Sequence, residues 1–330
     1  MSVKKILMIA AGGTILKQQQ GQKMAWSVEP AELVEQACPG LDYSLQTIYT
    51  GLSASFDIRT VLDIAKLALE TPCNSIVITV GTDVLEEVSY VLSYLLGNLK
   101  KVVITASMRP YGRDGYEGVA NLRDAVTLAT DEEGPLGVFV VINEKIFSGR
   151  TIFKFHSSRF DAFHAQPGPV GEVISGSPVF AFTPKEENVD GFQELTGGDL
   201  GDVNVPILFT HMNMRANNFQ FETCDGLVVA AMGAGSVPTD ITEFLADDLV
   251  KRIPIVISTR CPIGPNHAES MYTGSVDKYT SRGFIVREFT GLNALQSRAK
   301  LHLDIGLDKH GIAQPDWLNS TVKSASGNLK

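Results

Sequence analysis

Cysteine is scarce in this chain: four among 330 residues, at Cys38, Cys73, Cys224 and Cys261. No two form a CxxC pair and no histidine stands near them at metal-ligand spacing, so neither a disulfide framework nor a zinc site is expected. Positive charge is short as well, with 28 Lys and Arg against 37 Asp and Glu and a formal net charge of −9. Nucleic-acid binding draws on clustered Lys and Arg, which so acidic a chain does not offer. No apolar run reaches the roughly 20 residues that cross a bilayer. The apolar opening MSVKKILMIAAGG runs at once into a turn and the polar LKQQQGQK, which suits a first buried strand better than a leader. The P-loop, dinucleotide, zincin and serine-hydrolase signatures are all missing, and Gly233-Ala234-Gly235-Ser236 lacks a third glycine. The absences leave a cytoplasmic protein, with no cofactor, metal, nucleic acid or membrane expected, long enough for about two domains.

What is present is strand-like and helix-like pattern in alternation. Short apolar, β-branched runs occupy 4–10, 75–80, 101–107, 137–144, 205–211, 226–232 and 253–259. They are almost continuously apolar, as strands buried on both faces of a parallel sheet are. Helical periodicity fills 60–70, 86–99, 118–129, 241–251 and 293–303. The pattern predicts an α/β fold with right-handed crossovers: a larger N-terminal domain with a mostly parallel sheet flanked by helices, then a smaller C-terminal α/β domain. Gly and Pro interrupt the rhythm over 168–205, which places the first domain at 1–190, a linker at 191–204 and the second domain at 205–330.

Ligands of open α/β sheets collect at the carboxyl ends of strands. After the first strand comes Ala10-Ala11-Gly12-Gly13-Thr14, where glycines let main-chain amides approach a ligand and a hydroxyl is presented. After 75–80 come Gly81-Thr82-Asp83, and after 101–107 come Met108-Arg109-Pro110. Each has a plainer reading: a tight turn for the glycines, a capping box for Asp83 with Glu86, a surface arginine for Arg109. Phe153-Lys154-Phe155, if extended, puts Lys154 on the face opposite both phenylalanines, where it is either a solvated strand lysine or a desolvated proton acceptor. Convergence of Thr14, Thr82 and Asp83 at one sheet edge favours chemistry over punctuation.

At these residues the sequence resembles the bacterial-type L-asparaginase/glutaminase amidohydrolase family. Its TGGTI reads here Ala11-Gly12-Gly13-Thr14-Ile15, and its HGTDTxEE reads Val80-Gly81-Thr82-Asp83-Val84-Leu85-Glu86-Glu87. Ser107-Met108-Arg109-Pro110 is similar to the family's AMRP, followed by Asp114-Gly115 and Asn121. Gly149-Arg150 with Lys154 matches the segment of the catalytic lysine, and Ser55 with Asp57-Ile58 matches the substrate loop. Ser258-Thr259-Arg260 and the chain to Leu303 match the C-terminal domain. The resemblance implies hydrolysis of the side-chain amide of L-asparagine to L-aspartate and ammonia by double displacement. Thr14 would be the nucleophile, while Thr82, Asp83 and Lys154 handle protons, with Lys154 as base. Main-chain amides near Thr14 and Thr82 would hold the oxyanion. Ser55 would take the α-carboxylate and Asp83 the α-amino group, with Gly13, Gly81 and Ser107 completing the substrate site. The resemblance leaves open which threonine attacks. It also implies a homodimer or homotetramer whose sites the neighbouring subunit completes.

Three departures fall on the site. Met24 stands where the family's lid carries a catalytic tyrosine, and no tyrosine occurs between Leu16 and Asp42. Ser236 stands for the substrate asparagine of the GNGN turn, and Ser275 for the glutamate lent by a neighbouring subunit. Val80 and Val84 replace a histidine and a threonine. A lost charged hydrogen bond to an ammonium is worth roughly 1.5–3 kcal/mol, so either Tyr272, Asp277 or Tyr279 substitutes, or another small amide is the substrate. A metabolite-binding relative without turnover is a further alternative, which the four intact positions at 14, 82, 83 and 154 disfavour. A tRNA-linked amidotransferase subunit is disfavoured by the acidic charge.

Overall fold

A computed structural model describes residues 6–312 and Pro315, apart from 21–22, 27, 187, 217–220, 222 and 267–271. The chain divides into two compact units, Met1–Val189 and Asp190–Lys330.

The first unit opens with β1 (Ile6–Ala11) and a hairpin of β2 (Lys17–Gln20) and β3 (Lys23–Trp26). Then follow α1 (Pro30–Ala37), β4 (Tyr43–Tyr49), α2 (Ile58–Glu70), β5 (Ser75–Val80), α3 (Leu85–Leu96), β6 (Lys101–Thr105) and α4 (Gly118–Thr130). Six short strands close it: β7 (Gly137–Ile142), β8 (Lys145–Ser148), β9 (Ile152–Lys154), β10 (Phe163–Ala165), β11 (Gly171–Ile174) and β12 (Ser177–Phe180). Eight strands form one sheet in the order β12-β11-β8-β7-β6-β5-β1-β4. From β4 through β7 all pairings are parallel, and β8, β11 and β12 add antiparallel strands at the far edge.

Alternation of side chains gives the central strands β1, β5, β6 and β7 two buried faces. Ile6, Met8 and Ala10 of β1, Val77, Val103, Phe139 and Val141 share a core with Leu33 and Val34 of α1 and Leu122 and Ala125 of α4. The intervening Leu7, Ile9, Ile76, Ile78, Val102 and Ile104 are equally buried beneath α2 and α3, which pack on each other. Burying roughly 1.5–3 kcal/mol of transfer energy per such side chain is what drives the continuous apolar runs of the sequence.

The second unit holds α5 (Gly197–Gly201), β13 (Ile207–Phe209), β14 (Leu227–Ala231), α6 (Thr239–Asp247), β15 (Ile255–Thr259), α7 (Asp277–Thr280) and α8 (Ala294–Lys309). Its three strands are parallel in the order β13-β14-β15, with Ile241 and Leu245 of α6 on one face and Leu301 and Ile305 of α8 on the other. The fold is α/β, with a large mostly parallel sheet and a smaller C-terminal unit.

All seven expected strands and five expected helices are present, with altered ends. The 241–251 helix stops at Asp247 and continues as a 3-10 turn, and the last helix runs on to Lys309. The stretch 191–204 carries a 3-10 turn at Phe192–Glu194 and then α5, where Thr196 and Asp199 form a capping box; Phe192, Leu195 and Leu200 are buried. Among the described residues, no helix is long and apolar enough to cross a membrane.

Candidate active site

The order β4-β1-β5-β6-β7 reverses direction beside β1: the chain first adds β4 on one side, then β5 on the other. The carboxyl ends of β1 and β5 flank that switch point, where open α/β sheets bind ligands. Ala11 of β1 pairs with Val80 of β5, so Gly12-Gly13-Thr14 and Gly81-Thr82-Asp83 leave the sheet side by side. Gly13 has φ +92°, and a Cβ there would come 2.6 Å from the Cα and N of Gly81. The two loops therefore touch main chain to main chain, which only glycine at 13 permits. A Cβ on Gly81 would overlap the Cβ of Ser53, so the loop after β4 closes on the same point.

Thr14 is partly buried and opens a 3-10 turn, Thr14–Leu16, anchored by fully buried Ile15 and Leu16. Thr82 is 7% exposed. Lys154 ends β9, whose antiparallel partner β10 pairs it with Phe163. As the sequence pattern suggests, Lys154 points away from buried Phe153, while Phe155 is exposed and rests on the His164 ring. The Lys154 ammonium donates to Thr82 Oγ1 at 3.0 Å and to Asp83 Oδ1 at 2.9 Å. Its main-chain N–H donates to Glu86 Oε2 at 3.0 Å, and Glu86 is buried. Two residues of one segment, Thr82 and Glu86, thus fix both ends of the lysine.

Asp83 does not cap α3: the N-cap is Val84, without a side-chain bond. Its carboxylate takes Lys154 on one oxygen and Ser53 Oγ, at 3.1 Å, on the other. The Lys154 hydrogen bond holds the Asp83 carboxyl below the usual carboxylate range; partial burial opposes this, and the Lys154 charge and the Ser53 bond add to it. An ionised carboxylate has about four lone-pair sites, so two remain for a ligand's ammonium. A lysine that has lost its proton can take the hydroxyl proton of Thr82 along the existing contact, which is the grouping hydroxyl chemistry needs.

The other sequence-expected residues sit as follows. Ser55 is exposed at the end of the 3-10 turn Ser53–Ser55; the serine that meets Asp83 is Ser53, two residues earlier. Ser107 is fully buried, its hydroxyl donating to Arg109 O at 2.5 Å within its own loop. Asn121 is buried and structural, bridging Ala106 O and Asn143 N. The backbone of Met24 pairs with Gln19 in the β2–β3 hairpin, and its side chain lies outside the described residues. In the second unit Ser236 closes a tight turn with Met232, and the Ser275 hydroxyl is buried. Tyr279 is buried with its hydroxyl accepting from Val237 N at 2.9 Å, Asp277 pairs with Arg287 at 3.4 Å, and Tyr272 is exposed. Ser53 was missed because the strand before it, β4, carries no apolar run to announce a loop at the carboxyl edge.

Comparison with known proteins agrees with this architecture. The model of the asparaginase N-terminal domain matches residues 5–186, and that of the glutaminase/asparaginase C-terminal domain matches 204–312. A probable L-asparaginase of Deinococcus radiodurans is 32% identical over 249 residues, covering 72% of this chain and 74% of its own. An L-asparaginase of Bacillus licheniformis is 24% identical over 94% of this chain and 98% of its own. The crystal structure of a probable cytoplasmic L-asparaginase from Campylobacter jejuni superposes with a TM-score of 0.81 at 26% identity, covering 97% of this chain and 99% of that one. With both domain models matched in order along most of its length, the chain belongs to the asparaginase family of amidohydrolases.

Proposed function

We propose that the protein hydrolyses the side-chain amide of L-asparagine to L-aspartate and ammonia by double displacement. The observation that carries this reading is Lys154 Nζ within 3.0 Å of both Thr82 Oγ1 and Asp83 Oδ1, with the Gly13–Gly81 main-chain contact one residue from Thr14 and from Thr82. Thr14 Oγ attacks the amide carbon, its proton passing to the base group, and main-chain amides of the two loops face the oxyanion. Collapse expels ammonia and leaves an ester on Thr14. Water, deprotonated through Thr82 and Lys154, then attacks the ester and frees the acid. Asp83 receives the substrate's α-ammonium on its two open lone pairs. The family relatives named as L-asparaginases support the substrate.

A second reading keeps this chemistry on a different small amide. It is favoured by Ser236 and Ser275 at positions where the family reads the amino acid head group, and by the engagement of Tyr279 and Asp277 elsewhere. Ammonia release from L-asparagine, with the Thr14→Ala variant as background, separates the two. Release that disappears in the variant supports asparaginase activity; no release above it excludes L-asparagine and turns the search to other amides. Turnover is expected to be unaffected by chelator, because the proposed steps use only side chains and main-chain amides. A homodimer or homotetramer is the expected assembly, which light scattering of the purified protein checks.

A further inference from the structure

We propose that Tyr116 is a positioning residue that seats the Thr14 turn from the loop following β6; this rests on the reading of Thr14 as nucleophile. The Tyr116 hydroxyl donates to Ile15 O at 2.7 Å, across 101 positions of sequence. That carbonyl belongs to the residue after Thr14, in the middle of the 3-10 turn that presents it. The contact is to main chain, so the phenol does not touch the Thr14 hydroxyl; it fixes the turn that aims it. Burial pushes the Tyr116 hydroxyl well above the ordinary tyrosine range, helped by the nearby charge of Glu117, so it stays a donor.

The phenol is itself held in place. Its ring meets Tyr111 edge to face, centroids 5.3 Å apart at 74°. Tyr111 N donates to Lys17 O at 2.8 Å, and the Tyr111 hydroxyl accepts from Gln36 Nε2 at 2.8 Å. Two successive points on the chain leaving Thr14, Ile15 O and Lys17 O, are thus tied to one loop. Gly118 leaves the space the phenol occupies, since a Cβ there would overlap it. The same loop reaches the base. Glu117 accepts from the N–H groups of Met108 and Arg109, Arg109 Nη1 donates to Asp114 O at 2.7 Å, and the guanidinium lies 3.9 Å above the Phe160 ring. Phe160 is in the loop joining β9 to β10, the hairpin that carries Lys154. Loop 107–117 therefore braces nucleophile turn and base hairpin together. This is the sequence in which the lid position holds Met24, and the tyrosine that holds the turn comes from elsewhere.

The test is Tyr116→Phe, which removes one hydroxyl and keeps the ring. Misaiming a nucleophile by a fraction of an ångström lowers the rate without weakening ground-state binding. The expected result is kcat per folded site lower by about tenfold with KM within twofold, and faster amide exchange in the segment 14–17. Tyr116→Phe combined with Gly118→Ala is expected to be no slower than Gly118→Ala alone, because both remove the same bond. Unchanged kcat per folded site overturns the proposal, and so does a lower kcat with unchanged exchange at 14–17. A wild-type protein that releases no ammonia from any amide would sink the proposed function instead, and the exchange measurement would then decide on the seat by itself.

Discussion

Asp83 shares its two oxygens between Lys154 and Ser53, and each donor leaves a signature in acid. Both favour the ionised form, so the carboxylate titrates below its ordinary range, with Lys154 the larger cause. Ser53→Ala removes one donor, raises that pKa, and moves the acid limb of the kcat/KM profile to higher pH. An acid limb that stays in place would show that Ser53 only packs against Gly81. The stability effect has the same sign: the contribution is present above the unfolded carboxylate value and is lost as pH falls through the folded one. It is small, since the Asp83 side chain is 62% exposed.

Gly81 gives a second residue-scale expectation. A methyl group there collides with Ser53 Cβ, an overpacking cost of about 1–3 kcal/mol. Gly81→Ala should lower the urea midpoint, and adding Ser53→Gly should recover part of the loss; no recovery would mean the strain lies in the main chain. Thr14 and Thr82 stood out as hydroxyls beside glycines after apolar runs, with Asp83 next to the second. Spacing left Lys154 as either a solvated strand lysine or a proton acceptor, and the family resemblance singled it out. Ser53 was not legible, and Glu86 was legible only as a capping partner, because a bond to a main-chain N–H 68 residues away leaves no local pattern.

Among the elements, what could be read was what is buried on two faces. β4 reads YSLQTIY, partly exposed along its length at the sheet edge, so it lacks the apolar run that marks β1 or β5. Strands β8 to β12 are three or four residues long, too short for periodicity to register. The start of α8 is the opposite case: Asn293 and Gln296 form a capping box in which each side chain accepts from the other's main chain. Asn293→Ala should cost about 1 kcal/mol of stability, seen in chemical denaturation of the chain, with m unchanged. An equal midpoint in wild type and variant would show that packing of Leu301 and Ile305 alone holds the helix.

For the molecule as a whole, Glu186 is a buried carboxyl that ties folding to pH. It accepts from Ser93 of α3 and from Ser148 at the end of β8, both at 2.9 Å, and from Val138 N at 3.5 Å. Burial raises its pKa above the ordinary 4.5, the donors and the Arg150 charge opposing in part. The folded state therefore holds its proton longer than the unfolded one, so this contribution to stability is full below 4.5 and is lost as pH rises through the folded value. Glu186→Gln cannot ionise. Its melting temperature relative to wild type should rise as pH is taken from 4.5 towards neutrality; a difference independent of pH would mean the carboxyl titrates at the same pH in the folded and unfolded states.

The contact of Gly13 with Gly81 also sets how this protein fails. The closest approach of the two threonine-bearing loops is Gly13 against Gly81, main chain to main chain, with no rotamer at either residue to widen or narrow it. The spacing is a property of the β1–β5 pairing, as rigid as the sheet itself. Damage elsewhere in the core should therefore leave surviving molecules with full specific activity and simply reduce their number. Across a urea titration, turnover per native molecule should be flat up to the midpoint. Under denaturant the protein is then either intact or silent, and a slow form has to be made at the turn itself, as by Tyr116→Phe.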